Sequence, residues 1–208
     1  MHQREEYFQK LLVEGNDDQH VIWALCKHYV VAQSFDVVSC DGINRLFEQL
    51  PVRFKQGELK AVGLVIDADE KHSQRWQSLH SILGKVNINL PELLPEEGFI
   101  VDSSDIRFGV WLMPDNQSYG MLEDFIKYLI PNEDPLITVV QRHVDDTESA
   151  NIHKFLPAHK SKAVIHGWLA LQEDPGTPMG LAITKRYFSP ENEQCARFIN
   201  WLNRMFNQ

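Results

Sequence analysis

Apolar and polar residues along this chain repeat in two rhythms, that of a buried strand and that of an amphipathic helix. Gln9-Lys10-Leu11-Leu12-Val13-Glu14-Gly15 is a short apolar run closed by glycine, which predicts a buried strand. After Asp17-Asp18, Val21, Ile22, Leu25 and Tyr29 return at helical spacing. Phe35 to Cys40 predicts a second strand, broken by Asp41-Gly42. Ile43, Leu46, Phe47 and Leu50 then mark a helix ending at Pro51. Ala61 to Ile66 is the most strand-like run of all and ends in Asp67-Ala68-Asp69, after which Ser73 is placed to cap a helix carrying Trp76, Leu79 and Leu83. Gly98 to Val101 and Phe108 to Met113 predict a fourth and a fifth strand. The fifth runs into Pro114-Asp115-Asn116 and a helix marked by Met121, Leu122, Phe125, Ile126 and Leu129.

Strand and helix alternating at this spacing predict an α/β fold with a mainly parallel, doubly wound sheet. From about Pro131 the pattern turns to helices, expected over Leu136–His143, Ser161–Gln172 and Glu191–Phe206, the last started by Ser189-Pro190. With no repeat, low-complexity tract or Gly/Ser linker, residues 1–208 are expected to form a single domain. In it, residues 1–130 make the α/β core, and residues 131–208 a helical C-terminal extension packed on it.

The composition is that of an ordinary globular protein, 43% hydrophobic and 24% charged. No run approaches the ~20 apolar residues of a membrane span, and the charged start Met1-His2-Gln3-Arg4-Glu5-Glu6 lacks the apolar run of a secretory signal. A cytoplasmic protein without membrane contact is expected. Cys26, Cys40 and Cys195 are far apart and include no C-x-x-C pair, so neither a disulfide framework nor a cysteine zinc site is indicated. Cys26 and Cys195 fall in apolar helical patterns and read as buried thiols. His153, His159 and His166 lack the i, i+4 spacing of a helical metal pair. The net charge of −9 disfavours tight phosphate binding by the bare protein, although bound cations can reverse the sign of a site.

The candidate chemistry lies in acids at strand ends: Glu14 after the first, Asp67 and Asp69 after the third, Asp115 after the fifth. Ligands of an open parallel sheet collect at the carboxyl ends of its strands. In extended backbone Asp67 and Asp69 would project to one side, roughly 6.6 Å apart, a spacing that suits a hard cation. If the first and third strands are neighbours, Glu14 faces the same crevice. Clustered carboxylates repel one another unless protonated or bridged by a cation. Neither a Gly-x-x-x-x-Gly-Lys-Ser/Thr loop nor a Gly-x-Gly-x-x-Gly turn is present.

Simpler roles compete at several positions. Asp17 and Asp124 read best as helix caps, Asp18 equally well as cap or ligand, and Asp115 also as a turn residue. Trp111 and Trp168 read as core. Lys160-Ser161-Lys162 reads as a solvated edge, with an anion site as the other reading.

Val13-Glu14-Gly15-x-x-Asp18, taken with Val65-Ile66-Asp67-Ala68-Asp69, resembles the paired signatures of the Toprim superfamily, over about the first 130 residues in element order. Gly109 to Asn116, followed by Gly120-Met121-Leu122-Glu123-Asp124-Phe125, resembles a small, uncharacterised stand-alone Toprim-like family related to the overcoming-lysogenization-defect nuclease branch. The resemblance implies a Toprim/Rossmann-like fold that binds Mg²⁺ or Mn²⁺. It implies catalytic roles for Glu14, Asp67 and Asp69, and metal ligation by Glu14, Asp18, Asp67 and Asp69, with Asp115 and Glu123 as further ligands by position. The nuclease branch's ATPase domain has no counterpart here, and its catalytic lysine matches no position securely, Lys160 and Lys162 being the candidates. The expected function is metal-dependent phosphodiester chemistry on nucleic acid or a nucleotide. The alternative is a non-catalytic metal- or nucleotide-binding module of a defence or repair system, with a partner protein supplying the missing domains.

Overall fold

Each of the five apolar runs folds as a strand. The computed structural model describes residues 5–69, 72–86, 88–103 and 106–208. In it β1 (Gln9–Val13), β2 (Asp36–Ser39), β3 (Ala61–Asp67), β4 (Phe99–Asp102) and β5 (Arg107–Met113) form one sheet in the order β2-β1-β3-β5-β4. β2, β1, β3 and β5 run parallel, while β4 pairs antiparallel with β5, so the sheet is mixed but mostly parallel. The reversal follows from the short connection between β4 and β5, which cannot hold the crossover that parallel neighbours need.

Helices α1 (Asn16–His28), α2 (Ile43–Arg53) and α3 (His72–Leu83) follow the first three strands, and α4 (Leu122–Tyr128) follows β5. The chain then continues through α5 (Pro135–Ser149), α6 (Lys160–Leu169), α7 (Met179–Thr184) and α8 (Glu193–Phe206). Alternation along the strands divides the buried apolar residues between two cores. Leu11, Val13, Val65 and Trp111 join α1 and the helices from α4 onward, whereas Leu12, Leu64, Ile66 and Leu112 join α2 and α3. Trp111 and Trp168 are both core residues. Gly63 and Gly109 pair across β3 and β5, where a Cβ would come within 2.9 Å of the Phe206 ring and 2.7 Å of Met205 Sδ. Their missing side chains let α8 press against the sheet.

Helix ends differ from the patterning where a side chain or backbone group decides them. α2 continues through Pro51 to Arg53, because a proline in a last turn removes one hydrogen bond without stopping the chain. α8 starts after Asn192, whose Oδ1 accepts the Cys195 N–H at 2.8 Å, rather than at Ser189-Pro190. α5 is longer than expected, with Asp134 Oδ1 accepting the Leu136 N–H at 2.7 Å at its start. α7 was not expected; its six residues are too few to show a helical period. Among the described residues no helix is long and apolar enough to cross a membrane, and Cys26, Cys40 and Cys195 are free thiols.

The amino end of the parallel strands carries a closed set of charges. Lys10 is buried on β1 and its Nζ lies 2.7 Å from Asp36 Oδ2 and 3.2 Å from Glu5 Oε2. Arg53 from α2 holds both Glu5 oxygens, each at 2.8 Å. Asp36 Oδ2 also accepts the N–H groups of Glu6 and Tyr7 at 2.9 and 2.8 Å. The Arg53 hydrogen bonds, against burial and with help from Lys10, draw the Glu5 carboxyl down to about 2.

Candidate functional site

At the opposite end of the same strands the acids gather without such partners. β1 and β3 are neighbours, with Val13 beside Val65, so the residues following them meet. Glu14 Oε1 accepts the backbone N–H of Asp67 at 2.9 Å, and Asp67 Oδ1 accepts the N–H of Leu122 at 2.9 Å. These two bonds tie the ends of β1, β3 and the start of α4 together through acidic side chains.

Asp18 enters from the first turn of α1. Its Oδ2 accepts the Gly15 N–H at 2.9 Å, the reach-back of a third helical residue to the cap position. The capping role expected of Asp17 therefore belongs to Asp18. The other oxygen, Asp18 Oδ1, is buried and has no hydrogen-bond partner, so cap and open acceptor coexist on one carboxylate. Glu123 enters from the first turn of α4, 3% exposed, with Lys162 Nζ of α6 at 3.6 Å. Beside it Asp124 is the cap the patterning predicts, its Oδ2 accepting the Met121 N–H at 2.9 Å while Oδ1 accepts the Ser161 hydroxyl.

Electrostatics show these four acids to be one group. Burial pushes the Asp67 carboxyl well above its ordinary value, and Asp18, Glu14 and Glu123 push it further. Burial, with repulsion from Glu14 and Glu123, brings Asp18 up to about 7 despite its bond from Gly15. Glu14 is raised by burial against the Asp67 N–H, Arg75 and Lys162, and Glu123 by burial against Lys162 and His166. The nearby cations leave the acids in excess. Among the described residues, no three His, Cys, Asp or Glu side chains stand close enough together to hold a metal ion as they are placed here.

Asp69 does not stand beside Asp67 as extended backbone would place it. Its φ is 54°, which ends the alternation of the strand, and its half-exposed carboxylate is ion-paired with Arg75 on α3. Its backbone instead bridges Gly120, with N–H to O distances of 2.8 and 3.0 Å in the two directions. Gly120 has φ 143°, and a Cβ there would lie 2.6 Å from Asp124 Oδ2, so this approach needs glycine.

Asp115 closes a turn. Oδ1 accepts the N–H groups of Gln117 and Ser118 at 3.0 and 2.7 Å, and Oδ2 accepts the Ser118 and Tyr128 hydroxyls, each at 3.0 Å. These bonds outweigh burial and hold its carboxyl below the ordinary value. The structure thus brings together Glu14, Asp18, Asp67 and Glu123, sets Asp69 at the rim and gives Asp115 to a turn.

Of the two candidate lysines, Lys162 faces the acids. Lys160 is held by Asp145 and Glu148 of α5 at 2.8 and 2.6 Å. Arg75, which pairs with Asp69 and acts on Glu14, had no distinguishing signal in the sequence beyond its place shortly after two aspartates.

Fold and site define an α/β protein with a mixed, mostly parallel five-stranded sheet and a partly buried acidic cluster at the carboxyl ends of its central strands. The chain belongs to the family described as Protein of unknown function (DUF3226), whose model matches residues 8–207. Comparison with curated proteins and with solved structures found no match.

Proposed function

We propose that the protein is a Toprim-like enzyme that uses Mg²⁺ or Mn²⁺ for phosphodiester chemistry on nucleic acid or a nucleotide. The observation that carries this reading is the meeting of Glu14, Asp18, Asp67 and Glu123 at the carboxyl ends of β1 and β3, with Asp18 Oδ1 buried and unpartnered. The sheet order supports it, because β1 next to β3 is the adjacency that joining the Glu-Gly and Asp-x-Asp signatures requires. The chemistry of the donors suits a hard divalent cation: all four are carboxylates, Asp18 and Glu123 buried and Glu14 and Asp67 half-buried, in excess over nearby cations, and an ion would have to draw them closer together. Glu14, Asp18, Asp67 and Glu123 would hold the ion, and Asp69 joins them only on leaving Arg75.

Bound there, a divalent cation supplies Lewis-acid polarisation of a phosphoryl oxygen and a more acidic water. The protein's own groups do the rest. Glu14, fixed by the Asp67 N–H, would accept a proton from a nucleophile. Lys162, half exposed beside Glu123, presents positive charge to a phosphate.

The test is cleavage of single- and double-stranded DNA and RNA by purified protein with Mg²⁺ or Mn²⁺. Glu14→Gln and Asp67→Asn should each lower the rate at least ~100-fold. Full metal-dependent cleavage by both variants would overturn the assignment.

The net charge of −9 favours a second reading, a non-catalytic metal- or nucleotide-binding module working with a partner protein in defence or repair. Saturable Mn²⁺ binding with no turnover of any nucleic acid would select it.

A further inference from the structure

Beside the acidic cluster lies a cleft of about 420 Å³ between α4, α5 and α6. This is the size of a site for one small molecule. Glu123 belongs to the cluster and lines the cleft, with Asp69 at the rim, so whatever occupies the cleft abuts the acids. Met121, Val164 and Ile165 give it apolar wall, and Gln141 and Ser161 supply groups able to hydrogen-bond.

Two side chains in it have no evident structural duty. Tyr119 lines the cleft yet is 75% exposed, an aromatic face held at an opening rather than in a core. The Asp69–Gly120 backbone bridge holds the backbone next to Tyr119 at the rim. Lys127 is exposed on α4, lines the same cleft and has no ion pair within 4 Å among the described residues, its charge acting at longer range on Asp145, whereas Lys160 is held directly by Asp145 and Glu148. An aromatic face, a cation and an apolar floor next to an acidic cluster match the parts of a nucleotide: base, phosphate and sugar.

We propose that this cleft takes one unpaired nucleotide, free or at the end of a single strand, with its base on Tyr119 and its phosphate between Lys127 and the acidic cluster. This rests on the metal reading above and narrows its substrate to unpaired nucleotides. Duplex is disfavoured by shape and by charge. A concave cleft admits one unit, and 20 Lys and Arg against 29 Asp and Glu leave little to neutralise two phosphate backbones.

Calorimetric titration of the full chain with AMP, a short oligothymidylate and a short DNA duplex, each with Mn²⁺, tests it, alongside titration with Mn²⁺ alone. AMP and the oligothymidylate should bind and the duplex should bind more weakly. Tyr119→Ala should weaken the first two roughly ten-fold and Lys127→Ala several-fold, both without changing Mn²⁺ affinity. Tyr119 is exposed, so its removal leaves the fold intact. Unchanged affinity in Tyr119→Ala, or equal binding of duplex, would overturn the proposal. Mn²⁺ binding without binding of AMP or oligothymidylate would sink this inference and leave the metal site standing. Nucleotide binding sensitive to Tyr119→Ala but without any Mn²⁺ binding would uphold the cleft and remove the metal reading.

Discussion

Glu5 and Asp18 are carboxylates at opposite ends of one parallel array, and their surroundings move them in opposite directions, to about 2 and about 7. At the amino end two acids meet two cations, Lys10 and Arg53, in direct ion pairs. At the carboxyl end Glu14, Asp18, Asp67 and Glu123 share Lys162, beside Glu123, and Arg75, which acts on Glu14. Burial of charge is tolerated at the first end because it is paired, and at the second only by retaining protons or admitting a cation. A charge-matched cluster holds a fold together; an unmatched one, at the end of the sheet where ligands bind, is a candidate site.

The comparison breaks most sharply under mutation. Lys10→Ala leaves Asp36 and Glu5 short of a buried cation and should destabilise by about 3 kcal/mol, seen as a fall of several degrees in Tm. Asp18→Asn should do the reverse, stabilising the metal-free protein by about 2 kcal/mol near pH 8. The sign follows from the raised carboxyl of Asp18. The stability it contributes is complete below its ordinary value of 3.8 and lost as pH rises through about 7. The gain from Asp18→Asn should therefore vanish toward about pH 4, which thermal unfolding across pH will show.

Next in size is the response to metal. Mn²⁺ at about ten times its Kd should stabilise the wild type by about 1.4 kcal/mol and leave Asp67→Asn unmoved, read by the same melts. Smallest is the acid limb. Glu5 contributes stability that is present above its ordinary value of 4.5 and lost as pH falls toward about 2. Glu5→Gln should flatten that limb by about 1 kcal/mol, since the group is partly exposed and solvent screens it.

Much of this was legible before any coordinates. Every strand could be read from its apolar run, because buried strands at this spacing have few other ways to hide their surface. Glu14 and Asp67 were legible as a pair, and their meeting depended only on β1 lying next to β3. What stayed hidden depends on tertiary detail. The left-handed backbone at Asp69 separates two acids that local spacing placed together. Asp115 spends both oxygens on its own turn, and Asp18 rather than Asp17 reaches back to cap α1. The pairing of Lys10 with Asp36 joins residues on different strands, and nothing in either strand's pattern announces it.

The most direct measurement is a crystal structure of the protein grown with Mn²⁺, using its anomalous scattering. A manganese ion should appear among the carboxylates of Glu14, Asp18, Asp67 and Glu123, with oxygen ligands at about 2.1–2.2 Å. A well-ordered structure in saturating Mn²⁺ with no anomalous peak there would contradict it.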